Sequence, residues 1–146
     1  MPPSWTIRPV RVEDAPLIAR HRYAEAGAKE DFVAYERWVS ARIERGTYFG
    51  VLAEIDGTVV AGAGAVLLDW GPTRGETTGL RARIVNVYTA PESRRLGIAR
   101  QLVEEVIRRC QKRDVRVFSL AATDASAPLY EALGFERYPQ EMILRA

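Results

Sequence analysis

Six consecutive residues, Arg94-Arg95-Leu96-Gly97-Ile98-Ala99, stand between a run of strand formers and a long amphipathic stretch. Their position carries the chemistry. The first backbone N–H groups of a helix have no partners inside it, and with the helix dipole they favour an anion. Gly97 and the small Ala99 let the backbone approach a phosphate closely, and Arg94, Arg95 and Arg100 supply charge for two or more phosphate groups. The same residues also read as a solvated basic helix start. No Gly-Lys-Ser/Thr follows, so this is not a Walker loop. Of the 21 basic residues only Lys29 and Lys112 are lysines, so a lone arginine says little unless its neighbours give it meaning.

Other reactive side chains are few. His21, the only histidine, falls on the first helix, where it reads as a surface or substrate-rim residue. Cys110 lies on the apolar stripe of a long helix and reads as core, not nucleophile. One His and one Cys cannot build a zinc site, and no acidic run has calcium-loop spacing, so no metal is expected. Arg22 shares a helix face with Ala15, Ile18 and Ala19, and an inward arginine needs a partner: it pairs with a carboxylate or snorkels, or it lines an acceptor pocket.

The elements that must position these groups follow from periodicity. Trp5 to Arg8 reads as a strand. Glu13 and Asp14 form the acidic first turn of a helix expected to run to about Ala26 and to end at Gly27. A second helix is expected from Asp31 to Arg45. Tyr48 to Ile55 and Thr58 to Leu68 flank Asp56-Gly57, a hairpin signal. Asp69 to Leu80, with four glycines and prolines and Trp70, has the composition of a functional loop. Arg81 to Thr89 is a strand. The helix from Leu96 to Arg113 repeats Ile98, Leu102, Val106 and Cys110 every four residues. Val115 to Ala121 is a strand, Ala125 to Leu133 a short helix, and Phe135 to Leu144 a last strand or pair of strands. The order gives an α/β class, or α+β where the antiparallel first half dominates.

Bulk properties bound the rest. At 146 residues and 47% apolar content, one domain spanning 1–146 is expected. A net charge of +2 argues for no nucleic-acid partner, and no apolar run reaches the roughly 18 residues of a membrane span. The lone cysteine and an N-terminus without a signal-peptide pattern point to the cytoplasm.

From Asn86 to Phe135 the chain resembles the GNAT superfamily of N-acetyltransferases. Arg94 to Ala99 fits that family's pyrophosphate pattern, Arg/Gln-x-x-Gly-x-Gly/Ala. Asn86-Val87-Tyr88-Thr89-Ala90-Pro91 resembles its cofactor-facing strand, and Leu129 to Phe135 its late signature of tyrosine, leucine and Gly-Phe. The resemblance implies a mixed, mostly antiparallel sheet flanked by about four helices, with a splayed parallel strand pair that admits acetyl-CoA. It implies main-chain contacts to the pantetheine arm from Val87 and Thr89, and phosphates resting on Arg94, Arg95, Leu96, Gly97, Ile98, Ala99 and Arg100. Asp124 and Ser126 match small polar positions near the cofactor; helix capping is their other role. Tyr130 matches the family's proton donor to the leaving thiolate; its other reading is a core tyrosine stacked on Phe135 or Leu129. A homodimer is common in the family, and the C-terminal strand is the natural place for pairing.

One departure stands out. Many relatives carry a glutamate base on the strand before the loop, where this chain has Arg83, Ile84, Val85 and Asn86. Asp69, Glu76 and Glu25 are the alternative holders of a proton-accepting water. The function implied is transfer of an acetyl group to the primary amine of a small-molecule or peptide acceptor, with Arg22, His21, Trp38 and Trp70 as candidate pocket residues. A non-catalytic acyl-CoA sensor and a nucleotide-phosphate binder are the competing readings.

Overall fold

The structure, a computed structural model, describes residues 3–146. Five strands form one sheet in the order β1-β2-β3-β4-β5: β1 Thr6–Pro9, β2 Tyr48–Ile55, β3 Thr58–Asp69, β4 Leu80–Thr89 and β5 Val117–Ser119. The first four are antiparallel neighbours, and β4 and β5 are parallel. Helices α1 (Ala15–Arg22) and α2 (Lys29–Arg45) precede the hairpin, α3 (Ile98–Gln111) links β4 to β5, and α4 (Ala127–Ala132) follows. The mixed class, the mostly antiparallel sheet and the four helices are as expected.

Alternation along β3 divides the core. Ala61, Ala63, Ala65 and Leu67 are buried in one apolar cluster with Ile98, Leu102, Val103, Val106 and Cys110 of α3. Val66 faces the other way, into a smaller cluster with Ala15 and Ile18 of α1, Val39 of α2 and Tyr48 of β2. β3 is thus covered on both faces, which is why its sequence is a near-continuous apolar run. The β2–β3 turn has left-handed Asp56 (φ 50°) and Gly57 (φ 79°), the two-residue geometry that Asp-Gly favours.

Several boundaries differ from expectation. α1 stops at Arg22, four residues early, because the Tyr23 ring turns to pack edge-on against Phe32 and Tyr35. α2 begins two residues early, where the Asp31 carboxylate accepts the Ala28 N–H at 2.9 Å. The C-terminal segment from Phe135 forms no strand. β5 pairs over only three residues, and Pro139 removes a ladder donor. Met142 is 97% exposed and Leu144 89%. The Asp69 to Leu80 loop is tightly built: Glu76 accepts the N–H groups of Thr78 and Gly79 at 3.1 and 2.9 Å, and Trp70 N–H reaches Gly79 O at 2.7 Å.

One polar clamp fixes the entry to α1. Arg8 of β1 donates two bonds to the Asp14 carboxylate, at 2.8 and 2.9 Å, and a third to Glu54 of β2 at 2.9 Å. The Arg8 guanidinium holds the Asp14 carboxyl below the usual carboxylate range. A depressed folded-state pKa stabilises above the unfolded value, and that contribution is lost as pH falls through the folded one. Asp14→Asn is therefore expected to cost about 1 kcal/mol at pH 7, and the gap from wild type should close as pH drops below about 4. Urea unfolding across pH checks this; a gap independent of pH would refute the ion-pair origin.

Candidate functional site

A cleft of about 1110 Å³ runs along the C-terminal half of β4, past the start of α3, to α4. Its floor at one end is the turn before α3. Arg95 (φ 66°) and Gly97 (φ 84°) are both left-handed, and α3 then opens with Ile98, whose first-turn N–H groups face no helical acceptor. Arg94, Arg95, Gly97, Ile98, Ala99 and Arg100 all line this cleft. Leu96 does not; it packs on the core. The three arginines differ in freedom. Arg94 Nε donates to Thr89 O at 3.1 Å, and Arg100 forms an exposed pair with Glu104 at 3.1 Å. Arg95 has no carboxylate within 4.0 Å among the described residues.

In the middle of the cleft β4 is irregular. Gly64 pairs with Val85 and Gly62 with Tyr88, so Asn86 and Val87 together oppose the single residue Ala63. This is a β-bulge, and its first residue, Asn86, is left-handed at φ 57°. Asn tolerates that conformation better than other non-glycine residues because its short amide bonds locally. Here the amide bonds across the molecule. Nδ2 donates to Tyr35 Oη at 2.8 Å and Tyr48 Oη at 3.0 Å, and Oδ1 accepts from Arg22 Nη1 at 3.0 Å. The bulge takes Val87 out of one-to-one pairing with β3, and Val87 lines the cleft. Thr89 also lines it, although its carbonyl is taken by Arg94.

Two glycines opposite the bulge make room for the supporting side chains. A Cβ at Gly64 would lie 2.1 Å from Tyr48 Oη, and one at Gly62 would lie 3.1 Å from His21 Nδ1. The sequence reading missed this Gly62, Gly64, Tyr48, Asn86 group. Two glycines two apart in the interior of a strand, Gly62 and Gly64, are the signal the sequence carries for it.

Tyr130 is 7% exposed, lies edge-on to Phe135 at 5.9 Å and lines the cleft, so it is both packed and presented. Burial raises its phenol pKa, which keeps the proton on the oxygen. At the entry to α4, Ser126 Oγ accepts from Thr123 N–H at 2.9 Å and Thr123 Oγ1 from Ser126 N–H at 3.1 Å; both line the cleft. Asp124 is exposed and lies outside the lining, whereas Thr123, not singled out in the sequence, is within it.

The candidate proton acceptors separate clearly. Asp69 accepts Gly71 N–H at 3.2 Å and Glu76 closes its own loop; neither lines this cleft. Glu25 stands exposed at its rim. His21 lines it, stacked on Tyr88 at 4.4 Å, with burial and then the Arg20 charge lowering its pKa to about 4. Moving a proton from an alkylammonium of pKa near 10 to such an imidazole is uphill by about 8 kcal/mol. At neutral pH His21 is an uncharged part of the cleft wall. Among the described residues Arg22 has no carboxylate partner; it bonds Asn86 and lies over the Tyr35 ring at 4.4 Å. Trp38 carries the Arg42 guanidinium at 5.1 Å and lies outside the cleft.

The clamp on the bulge makes a separable prediction. Asn86→Gly keeps the left-handed backbone and leaves the buried Tyr48 hydroxyl without a partner, at about 1–3 kcal/mol; Asn86→Ala adds about 1 kcal/mol of backbone strain. Melting temperatures should fall in the order wild type, Gly, Ala. An Ala variant as stable as the Gly variant would show that the bulge does not demand a left-handed residue.

The acetyltransferase (GNAT) family model matches residues 12–135. No curated protein matches the chain significantly. Among solved structures, a predicted acetyltransferase from Clostridium acetobutylicum with acetyl-CoA superposes with a TM-score of 0.90 at 23% identity, over 97% of this chain and 96% of that one. A GCN5-related N-acetyltransferase from Ralstonia eutropha JMP134 gives 0.87 at 27% identity, over 98% and 99%. AAC(6')-Iy in complex with a bisubstrate analogue, CoA-S-monomethyl-acetylneamine, gives 0.78 at 18% identity, over 98% of each chain. With the family pattern spanning most of the sequence, and the same fold in these structures, the chain belongs to the acetyltransferase (GNAT) family.

Proposed function

We propose that residues 1–146 act as one domain that moves an acetyl group from acetyl-CoA to the primary amine of a small-molecule or peptide acceptor, directly and within a ternary complex. One observation carries this: a single cleft joins the arginine-flanked N-terminus of α3, the β4 bulge at Val87 and the phenol of Tyr130. The donor set fits acetyl-CoA. Arg95, Arg94 and Arg100 with the first N–H groups of α3 would hold its phosphates, as helix N-termini hold anions. Val87 and Thr89 flank the path of the pantetheine arm, with Thr123 and Ser126 on its far side. The relative from Clostridium acetobutylicum, at 23% identity, holds acetyl-CoA on the same fold.

When bound, acetyl-CoA supplies the activated thioester. The chain supplies the rest. A main-chain N–H near Val87 to Thr89 would stabilise the carbonyl oxygen as charge grows on it, a role commonly worth two to three powers of ten in rate. Tyr130, protonated because burial raises its pKa, gives its proton to the departing thiolate. The acceptor reacts from its free-amine fraction, and the proton that its nitrogen sheds as the amide forms replaces the one Tyr130 gives to the thiolate. A cytoplasmic setting and pairing of two copies through the exposed Met142, Ile143 and Leu144 belong to the same proposal.

Acetyl-CoA at about one hundred times its dissociation constant should stabilise the protein by about 2.7 kcal/mol and raise the melting midpoint by about 5–10 °C. Arg95→Ala should shrink that shift; no shift at millimolar acetyl-CoA would leave the loop a plain helix start. In a thiol-release assay with an amine panel, Tyr130→Phe should lower kcat by about 100-fold while keeping the acetyl-CoA shift. Full activity in that variant would remove Tyr130 from the chemistry, and binding without thiol release from any amine would favour a sensor.

A further inference from the structure

The acetyl-transfer reading leaves a second cleft unused, and its walls differ from the first. It measures about 770 Å³ and is bounded by Arg81 and Arg83 of β4, Ser119 of β5, the Trp70 ring and the segment after α4. Tyr130 lines it as well as the first cleft. The reason lies in the sheet: β4 and β5 pair only from Arg81↔Val117 to Arg83↔Ser119, while β4 continues to Thr89. Beyond Arg83 the strands part, and Tyr130 stands where the two clefts come together.

We infer that this second cleft receives the acceptor, and that it selects an amine that also carries a carboxylate, held by Arg83 and Arg81. This rests on the acetyl-transfer reading. Arg81 and Arg83 are two apart on one strand, so their side chains leave the same face about 7 Å apart; Ala82 and Ile84 between and beyond them are buried on the other face. Both arginines are partly buried, and neither has a carboxylate within 4.0 Å among the described residues. A half-desolvated guanidinium pair without a counter-ion favours an incoming carboxylate, which one guanidinium can grip with two parallel bonds.

The rest of the cleft fits the other end of such a molecule. Trp70, 56% exposed, carries the Arg81 guanidinium at 4.9 Å and leaves ring surface for an apolar side chain. Glu136 and Glu141 also line the cleft, and Glu131 there is already paired with Arg137 at 3.5 Å. Unpaired guanidiniums and carboxylates lining one cleft match an amino acid or peptide-like zwitterion. Arg83 is the last β4 residue paired to β5, so it stands at the edge of the gap in a cleft that Tyr130 also lines.

The test uses two probes that differ only in the carboxylate, N-acetylphenylalanine and N-acetylphenylalaninamide, titrated calorimetrically into the full chain with and without saturating CoA. The acid should bind at least about tenfold more tightly than the amide. Arg83→Gln should bring the two within about twofold while leaving the CoA-induced melting shift unchanged, and Arg81→Gln should narrow the difference independently. Equal affinities, no binding of either probe, or a preference that survives both substitutions would overturn the inference. A carboxylate preference in a protein that CoA does not stabilise would instead count against acetyl transfer alone, because the two readouts are separate.

Discussion

Asn86 occupies a left-handed backbone position in the middle of a strand, which costs an ordinary residue about 1–2 kcal/mol. It remains there because three hydrogen bonds, each worth about 0.5–1.5 kcal/mol net, hold its amide to Arg22, Tyr35 and Tyr48. Together, at about 1.5–4.5 kcal/mol, they match or exceed the strain. Each tether comes from a different element, α1, α2 and β2, so the bulge is fixed by the packing of the whole first half of the chain against the sheet. Without it Val87 would pair in register with β3, and the cleft would lose the one stretch of β4 main chain that departs from the ladder.

This constraint explains sequence choices that look unrelated. Tyr48 must reach across to Asn86, so Gly64 cannot carry a side chain; at Gly62 a Cβ would crowd both Leu52 Cδ2 and His21 Nδ1. Burial pushes the Tyr48 phenol far up and the Tyr35 phenol up, so both stay neutral hydroxyls able to accept from the Asn86 amide. Arg22 spends its charge over the Tyr35 ring and on the Asn86 carbonyl. The same helix end presents His21, Arg22 and, beyond it, Glu25 to the cleft, so the part of the molecule that braces the bulge is also its rim.

The frame was readable from local rules. Asp56-Gly57 specified its hairpin, the four-residue repeat from Ile98 to Cys110 specified α3 and its buried face, and Arg94 to Ala99 marked the loop that lines the cleft. What stayed hidden depends on contacts far apart in the chain. Asn86 meets Tyr35 and Tyr48 across 51 and 38 residues, and no spacing rule links them. The early end of α1 is set by rings on α2, and the absence of a final strand by a β5 too short to offer it a partner. Arg94 was legible as a basic residue of the loop, but its bond back to Thr89 was not.

If the bulge is what offers the chain's own N–H to the acetyl carbonyl, the Val87 amide should report it. The most direct measurement is the ¹H–¹⁵N spectrum of the labelled protein, titrated with CoA and separately with acetyl-CoA. The account predicts that both ligands move the amides of Gly97 to Arg100, and that acetyl-CoA shifts Val87 further downfield than CoA does. A Val87 signal that responds identically to the two ligands, or to neither, while the α3 amides move, would contradict it.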